Sequence, residues 1–176
     1  TNYALLASEY ANSIPSNVKK VKTILVSCGL IDSNNITGQV LDALSKCNFC
    51  GNVNIAIGSN APYLQVLSHS VKRYHFSVSI VLDSYGLHDL LVQSDMVVGT
   101  GGVSLLERMA LGKPSVTIIA AENQRNQVIW CESFGATILV DPLRAKFQHN
   151  LVHKIDLLLK SEEKRLKMSN KGMIAI

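Results

Sequence analysis

The run Asp95-Met-Val-Val-Gly-Thr-Gly-Gly-Val-Ser-Leu-Leu-Glu107 decides the fold. Met96 to Val98 reads as a short apolar strand. Gly99, Gly101 and Gly102 crowd the turn after it. A helix is expected from Gly101 to Leu111, stopped by Gly112, with Pro114 just beyond. A strand that feeds a helix through a glycine-rich turn is the joint of a βαβ unit. Glycines in such a turn let a backbone approach a bulky anion. The free N–H groups and the dipole of the helix start favour phosphate, and Thr100 and Ser104 add hydroxyls. Glu107 falls about two turns into this helix, roughly 10 Å from its start at 1.5 Å per residue, on the face of Thr100 and Val103. A carboxylate there accepts both hydroxyls of a ribose while the helix start holds a diphosphate. The competing reading of the same residues is a glycine turn that packs a helix tightly on a sheet, with Glu107 on a solvated face.

The same alternation extends in both directions. Upstream, strands are expected at Thr23–Ser27, Val53–Ile57 and Val78–Leu82, with helices at Ile36–Lys46, Ala61–Arg73 and Gly86–Gln93. Thr23–Ser27 is a continuous apolar and β-branched run, the pattern of a strand buried on both faces. Downstream come strands at Ser115–Ile119 and Thr137–Val140, and helices at Asn123–Phe134, 147–159 and 161–171. The expected architecture is α/β: a Rossmann-like, doubly wound parallel sheet of about six strands. Residues 1–21, irregular and polar, read as a linker or interdomain segment, and residues 22–176 as the domain. Ligands of such sheets bind beyond the carboxyl ends of the strands. That directs attention to Cys28–Asn35, Asp83–Gly86, Gly99–Ser104 and Ala120–Gln127. Within the last segment, Glu122-Asn123-Gln124-Arg125-Asn126-Gln127 carries planar polar groups suited to a sugar.

Composition bounds the alternatives. A chain of 176 residues suits one domain. Hydrophobic residues make up 47% and charged residues only 17%, which fits a domain that covers part of its surface with another. The net charge of +4 comes from scattered residues, 17 basic against 13 acidic. The single cluster, Lys160 to Lys171, alternates with Glu162 and Glu163 and reads as a solvated helix face. No basic stripe with interleaved aromatics points to nucleic acid. No apolar run reaches the roughly 18 residues of a membrane span, and Thr1–Pro15 lacks the pattern of a signal peptide. A cytoplasmic location is expected. The turn after the first expected strand, Ser27-Cys-Gly-Leu-Ile-Asp-Ser-Asn-Asn35, holds one glycine, so a dinucleotide fingerprint is missing, as are P-loop motifs. No cofactor is expected. Cys47-Asn48-Phe49-Cys50 has CxxC spacing but no second pair for zinc, so no metal is expected and the four cysteines read as free thiols.

The stretch from Gly99 to Gln127, GTGGVSLLERMALGKPSVTIIAAENQRNQ, resembles the carboxyl-domain signature of nucleotide-sugar enzymes of the GT-B fold, built of two Rossmann-like domains. It is most similar to the UDP-sugar hydrolases of pseudaminic acid biosynthesis, which cleave UDP-2,4-diacetamido-2,4,6-trideoxy-β-L-altropyranose to the free sugar and UDP. Tyr3-Ala-Leu-Leu6 and Ser27–Thr37 also resemble segments of that family, so the likeness spans almost the whole chain. The peptidoglycan N-acetylglucosaminyltransferases are more distant relatives with the same helix-borne glutamate. The resemblance implies that this chain is the carboxyl-terminal half of such a fold, serving surface polysaccharide synthesis and partnered by its own amino-terminal domain. It implies UDP contacts at Gly29, Leu82, Thr100, Gly101, Gly102, Val103, Ser104 and Glu107, with backbone at Leu82 reading uracil. It implies sugar contacts at Glu122, Asn123 and Gln124. The family's loop carries paired glycines where this chain has Gly29-Leu30. Its catalytic histidine lies in the amino-terminal domain, and none of His69, His75, His88, His149 or His153 matches that position. No catalytic residue is therefore expected on this chain. The alternatives are a GT-B glycosyltransferase, in which a sugar hydroxyl replaces water, and a non-catalytic nucleotide-sugar-binding protein.

Overall fold

The computed structural model describes residue 10, residues 20–84 and residues 86–176. The expected linker therefore lies almost wholly outside the described residues. Six strands form one parallel sheet: β1 (Thr23–Ser27), β2 (Asn52–Ile57), β3 (Ser77–Leu82), β4 (Met96–Thr100), β5 (Ser115–Ile118) and β6 (Ile138–Val140). Their order is β3-β2-β1-β4-β5-β6. The chain starts in the middle, builds outward to β3, and returns to place β4 on the other side of β1. The direction of winding reverses between β1 and β4, so the doubly wound expectation holds. The crevice of such a sheet opens at that reversal, beyond the carboxyl ends of β1 and β4.

Seven helices flank the sheet among the described residues: α1 (Ile36–Lys46), α2 (Leu64–Ser70), α3 (His88–Gln93), α4 (Val103–Ala110), α5 (Arg125–Ser133), α6 (Phe147–Lys160) and α7 (Glu162–Ala175). Alternation along the strands sorts them. Ile24, Val26, Ile55 and Val98 pack with Val40, Leu44, Leu67, Leu151 and Ile155, which puts α1, α2 and α6 on one face. Leu25, Ala56 and Val97 turn the other way and meet Leu91 of α3, together with Tyr10. Leu105 and Met109 of α4 pack against Val128 and Cys131 of α5. The central strands are apolar on both sides because both sides are covered.

The differences from the expected bounds have local causes. β4 runs on to Thr100, since Gly99 and Thr100 pair with Thr117 and Ile118 of β5. The helix after it starts at Val103, because Gly102 sits at φ 95°, outside any helical region. Ala61–Tyr63 form a turn, so α2 begins at Leu64. Glu122–Gln124 form a 3-10 turn ahead of α5. The last helix passes through Gly172 to Ala175. A Cβ at Gly172 would lie 3.3 Å from the backbone of Met109. That glycine is a point of close helix approach rather than a stop. Arg165 also departs from the solvated face expected of its segment: it is buried, and its Nη1 donates to the carbonyls of Leu158 and Leu159 at 2.6 and 3.0 Å.

Candidate functional site

The carboxyl ends of the strands gather nearly all the residues singled out in the sequence. Gly29 (φ 89°) follows β1, with nothing within 4 Å of the position its Cβ would take. Leu82 closes β3, the edge strand, and is half exposed. Thr100 closes β4. Glu122 to Gln124 follow β5. Three strand spacings separate β3 from β4, about 14 Å at 4.8 Å each. That is the reach of an extended nucleoside diphosphate.

The glycine turn is built differently from the expectation. Gly99 is needed for packing: a Cβ there would strike the Ser27 carbonyl and stand 2.9 Å from Arg108 Nη1. Gly101 is needed for packing too, since a Cβ would lie 2.8 Å from Val128 Cγ2 and 3.0 Å from Gln124 Cβ. Gly102 takes a φ that L side chains rarely adopt. Its N–H donates to Gln127 Oε1 at 2.8 Å, and Gln127 Nε2 donates back to its carbonyl at 3.2 Å. The Gly102 amide is therefore held by protein and is withdrawn from the phosphate role expected of it. The N–H groups of Val103 and Ser104 have no partner among the described residues. Val103 is exposed. The hydroxyls of Thr100 and Ser104 are also without a protein partner among the described residues.

Glu107 sits closer to this helix start than the sequence suggested. Thr100 belongs to β4, so Glu107 is one turn from Val103, about 6 Å along the axis, and shares the exposed face of Val103. Its carboxylate, half-buried, makes no hydrogen bond or ion pair among the described residues. Two free amides and a free carboxylate thus stand one helical turn apart on one surface.

The sugar-facing expectations divide. Asn123 is exposed. Gln124 turns inward: its Oε1 accepts from the Ala120 N–H at 3.4 Å, and its side chain lies against Gly101 and Gly102. Glu122 is held by Arg125, whose Nε donates to both carboxylate oxygens at 2.9 Å. Arg125 Nη1 donates to Asp141 at 2.7 Å, closing a Glu122–Arg125–Asp141 chain between the β5 and β6 loops. Asp32, a carboxylate near the strand ends, is buried and accepts the Ile36 and Thr37 N–H groups at 2.8 and 2.9 Å. It caps α1 and faces no open space. Both carboxylates, Glu122 and Asp32, are thus engaged by protein groups.

Gln127, expected among the sugar-facing groups, instead holds the Gly102 turn, and Arg108 shapes the site without having been singled out in the sequence. Arg108 is 1% exposed. Its Nε donates to the Ser104 carbonyl at 3.0 Å and its Nη2 to the Thr100 carbonyl. The spacing of Arg108 four residues after Ser104, between apolar Leu105 and Met109, marks a buried helix face and was the available signal.

A cavity of about 580 Å³ opens at the opposite rim, at the amino ends of the strands, lined by Lys20, Lys22, Cys50, Asn52, His75 and Phe76. It is larger than the pit of about 280 Å³ between Gln39, Glu122 and Phe147 at the carboxyl rim. The larger cavity faces away from the topological reversal, where ligands of such sheets bind. Among the described residues, no group of three or more His, Cys, Asp or Glu side chains is placed to hold a metal. The four cysteines are unpaired. None of the described helices is long and apolar enough to cross a membrane.

Comparison with known proteins supports the architecture. No family model matches the chain. Over 112 residues it is 30% identical to the uncharacterized protein MJ1062 of Methanocaldococcus jannaschii, a match spanning 62% of this chain and 23% of that protein. Among solved structures, MurG of Acinetobacter baumannii is similar with a TM-score of 0.70 at 12% identity, over 89% of this chain and 46% of that one. The spinosyn rhamnosyltransferase SpnG, solved with thymidine diphosphate, is similar with a TM-score of 0.65 at 15% identity, over 96% of this chain and 44% of that one. The chain spans less than half the length of each. Its fold is that of one Rossmann-like half of a GT-B glycosyltransferase.

Proposed function

We propose that this chain binds a UDP-sugar along the carboxyl rim of its sheet, as the donor-binding half of a GT-B enzyme of surface polysaccharide synthesis in the cytoplasm. The observation that carries the reading is the pairing of the free Val103 and Ser104 amides with the free Glu107 carboxylate one turn away. Amides at a helix start suit an anion, and a carboxylate suits vicinal hydroxyls. Uracil lies at the Leu82 edge, the diphosphate at the start of α4, and the sugar toward Asn123 and Gln124.

The finer reading is a hydrolase that releases UDP and a free diacetamido-trideoxy sugar, supported by the likeness of the Gly99–Gln127 segment to that family. Water attacks the anomeric carbon, UDP departs, and its developing charge is met by the α4 amides. An amino-terminal domain supplies the general base. The second reading is sugar transfer to a hydroxyl, favoured by the rhamnosyltransferase among the similar structures. Calorimetry with UDP, ADP and UMP tests the donor site. UDP is expected to bind most tightly; equal affinity for all three, or none, refutes it.

A further inference from the structure

Arg108 belongs to no ion pair among the described residues, and its Nη1 is buried with no hydrogen-bond partner. That nitrogen sits at the β1–β4 seam, beside Gly99 and near the Ser27 carbonyl, where Ser27 and Gly99 face each other in the sheet. The seam is the topological reversal itself. None of the titratable groups around it forms an ion pair with it among the described residues, and Glu107 is the carboxylate that acts on it through space. Cys28, beyond β1, and Cys131, on α5, are thiols that burial pushes up to about 12 and about 11, so both are neutral. Asp32 lies near Cys28 but is engaged by the α1 amides. Glu107, the helix neighbour, shares the exposed face of Val103. Burial lowers Arg108 to about 10, which leaves it a cation at neutral pH. A buried charge without an ion-pair partner is costly to a fold, and a purely structural tie between two carbonyls does not require one.

We propose that Arg108 is the positioning residue of the diphosphate site: it fixes the Gly101–Gly102 turn through the Thr100 and Ser104 carbonyls, and its unpaired charge takes the ligand's phosphates as counter-ion. The proposal rests on the donor-site reading above. Arg108 stays beneath the turn and touches no ligand atom. Gly99 is part of the device, because any side chain there would displace the guanidinium.

The test is calorimetry of the full 176-residue chain and its Arg108→Met and Arg108→Lys variants with UDP, inorganic pyrophosphate and uridine. Arg108→Met is expected to weaken UDP and pyrophosphate by on the order of tenfold, as for a charge acting through partly screened protein. Uridine is expected to bind unchanged, and Arg108→Lys to recover much of the loss. An equal loss for uridine marks a general distortion and overturns the proposal, as does unchanged pyrophosphate affinity in a folded variant. Should Arg108→Met fail to fold, side-chain NMR of the unmodified chain decides. Pyrophosphate must shift the Arg108 Nε–H signal and slow its exchange while leaving Arg125 in place; an unmoved Arg108 signal overturns the proposal. If the unmodified chain binds neither UDP nor pyrophosphate, the donor-site reading falls and takes this role with it. If it binds both and the variants match it, only the role of Arg108 falls.

Discussion

Gln127 grips Gly102 from both sides, accepting its N–H at 2.8 Å and donating to its carbonyl at 3.2 Å. A side chain on the first turns of α5 thereby sets the conformation of the turn that opens α4. Gln127→Ala removes both bonds and leaves a part-buried amide without its partner. Thermal and urea denaturation are expected to show a loss of about 1–2 kcal/mol. Calorimetry is expected to show weaker UDP binding, because the Val103 and Ser104 amides lose their fixed direction. Unchanged UDP affinity in a destabilised variant would separate the turn from the site.

Glu107 is expected to read the ribose. A hydrogen bond to a charged acceptor contributes roughly 1.5–3 kcal/mol, so Glu107→Gln should weaken UDP by about tenfold or more and leave inorganic pyrophosphate unaffected. The unmodified chain should prefer UDP to 2′-deoxy-UDP, and the variant should lose that preference. Equal losses for UDP and pyrophosphate would assign Glu107 a structural role instead.

Asp141 ties the β6 loop to α5. The hydrogen bond from Arg125 holds its carboxyl below the ordinary carboxylate value, and the Leu143 N–H adds to the effect. A carboxylate whose pKa falls on folding stabilises the protein above its unfolded value of about 4 and loses that contribution as pH drops through the folded value. Asp141→Asn should therefore lower stability at pH 7, with the gap from the unmodified chain narrowing toward pH 3. Urea titrations at the two pH values measure it; a gap that stays constant removes the ion pair as its cause.

The 176-residue chain alone is expected to release no UDP from a UDP-sugar. Apart from Glu107, assigned to the ribose, the carboxylates near the crevice are Asp32, which caps α1, and Glu122, which is clamped by Arg125. Neither is free to deprotonate water. Asp32→Ala should cost about 1 kcal/mol of stability, as for loss of a helix cap, while UDP affinity stays level. Steady UDP release by the isolated chain, abolished by a Glu122 substitution, would place the catalytic group on this half.

The succession of strands and helices was legible because most buried strands are short β-branched runs and most helix starts or stops carry a glycine, proline or polar cue, whereas the strand order came from the structure. The glycine turn was legible as a place but not in its workings. Gly99, Gly101 and Gly102 read alike in sequence, yet one makes room for Arg108, one packs against Val128, and one turns the chain through positive φ. Arg108 was hidden because an arginine on a helix reads as solvated, and its burial depends on a glycine nine positions back on the neighbouring strand. The capping of α1 by Asp32 was not legible, because it needs the left-handed Asn35 that carries the chain into the helix, a backbone state that residue types do not announce.

The rim opposite the crevice offers a practical handle. Cys28 and Cys131 are buried and Cys47 is half-buried, which leaves Cys50, exposed beside the cavity at the amino ends of the strands, as the thiol open to alkylation. A maleimide dye should attach there in unmodified protein, with the length of the strands between the label and the start of α4. Immobilised or fluorescently tagged protein made this way would present its crevice outward, so ligand titrations can be run on a surface without any engineered cysteine.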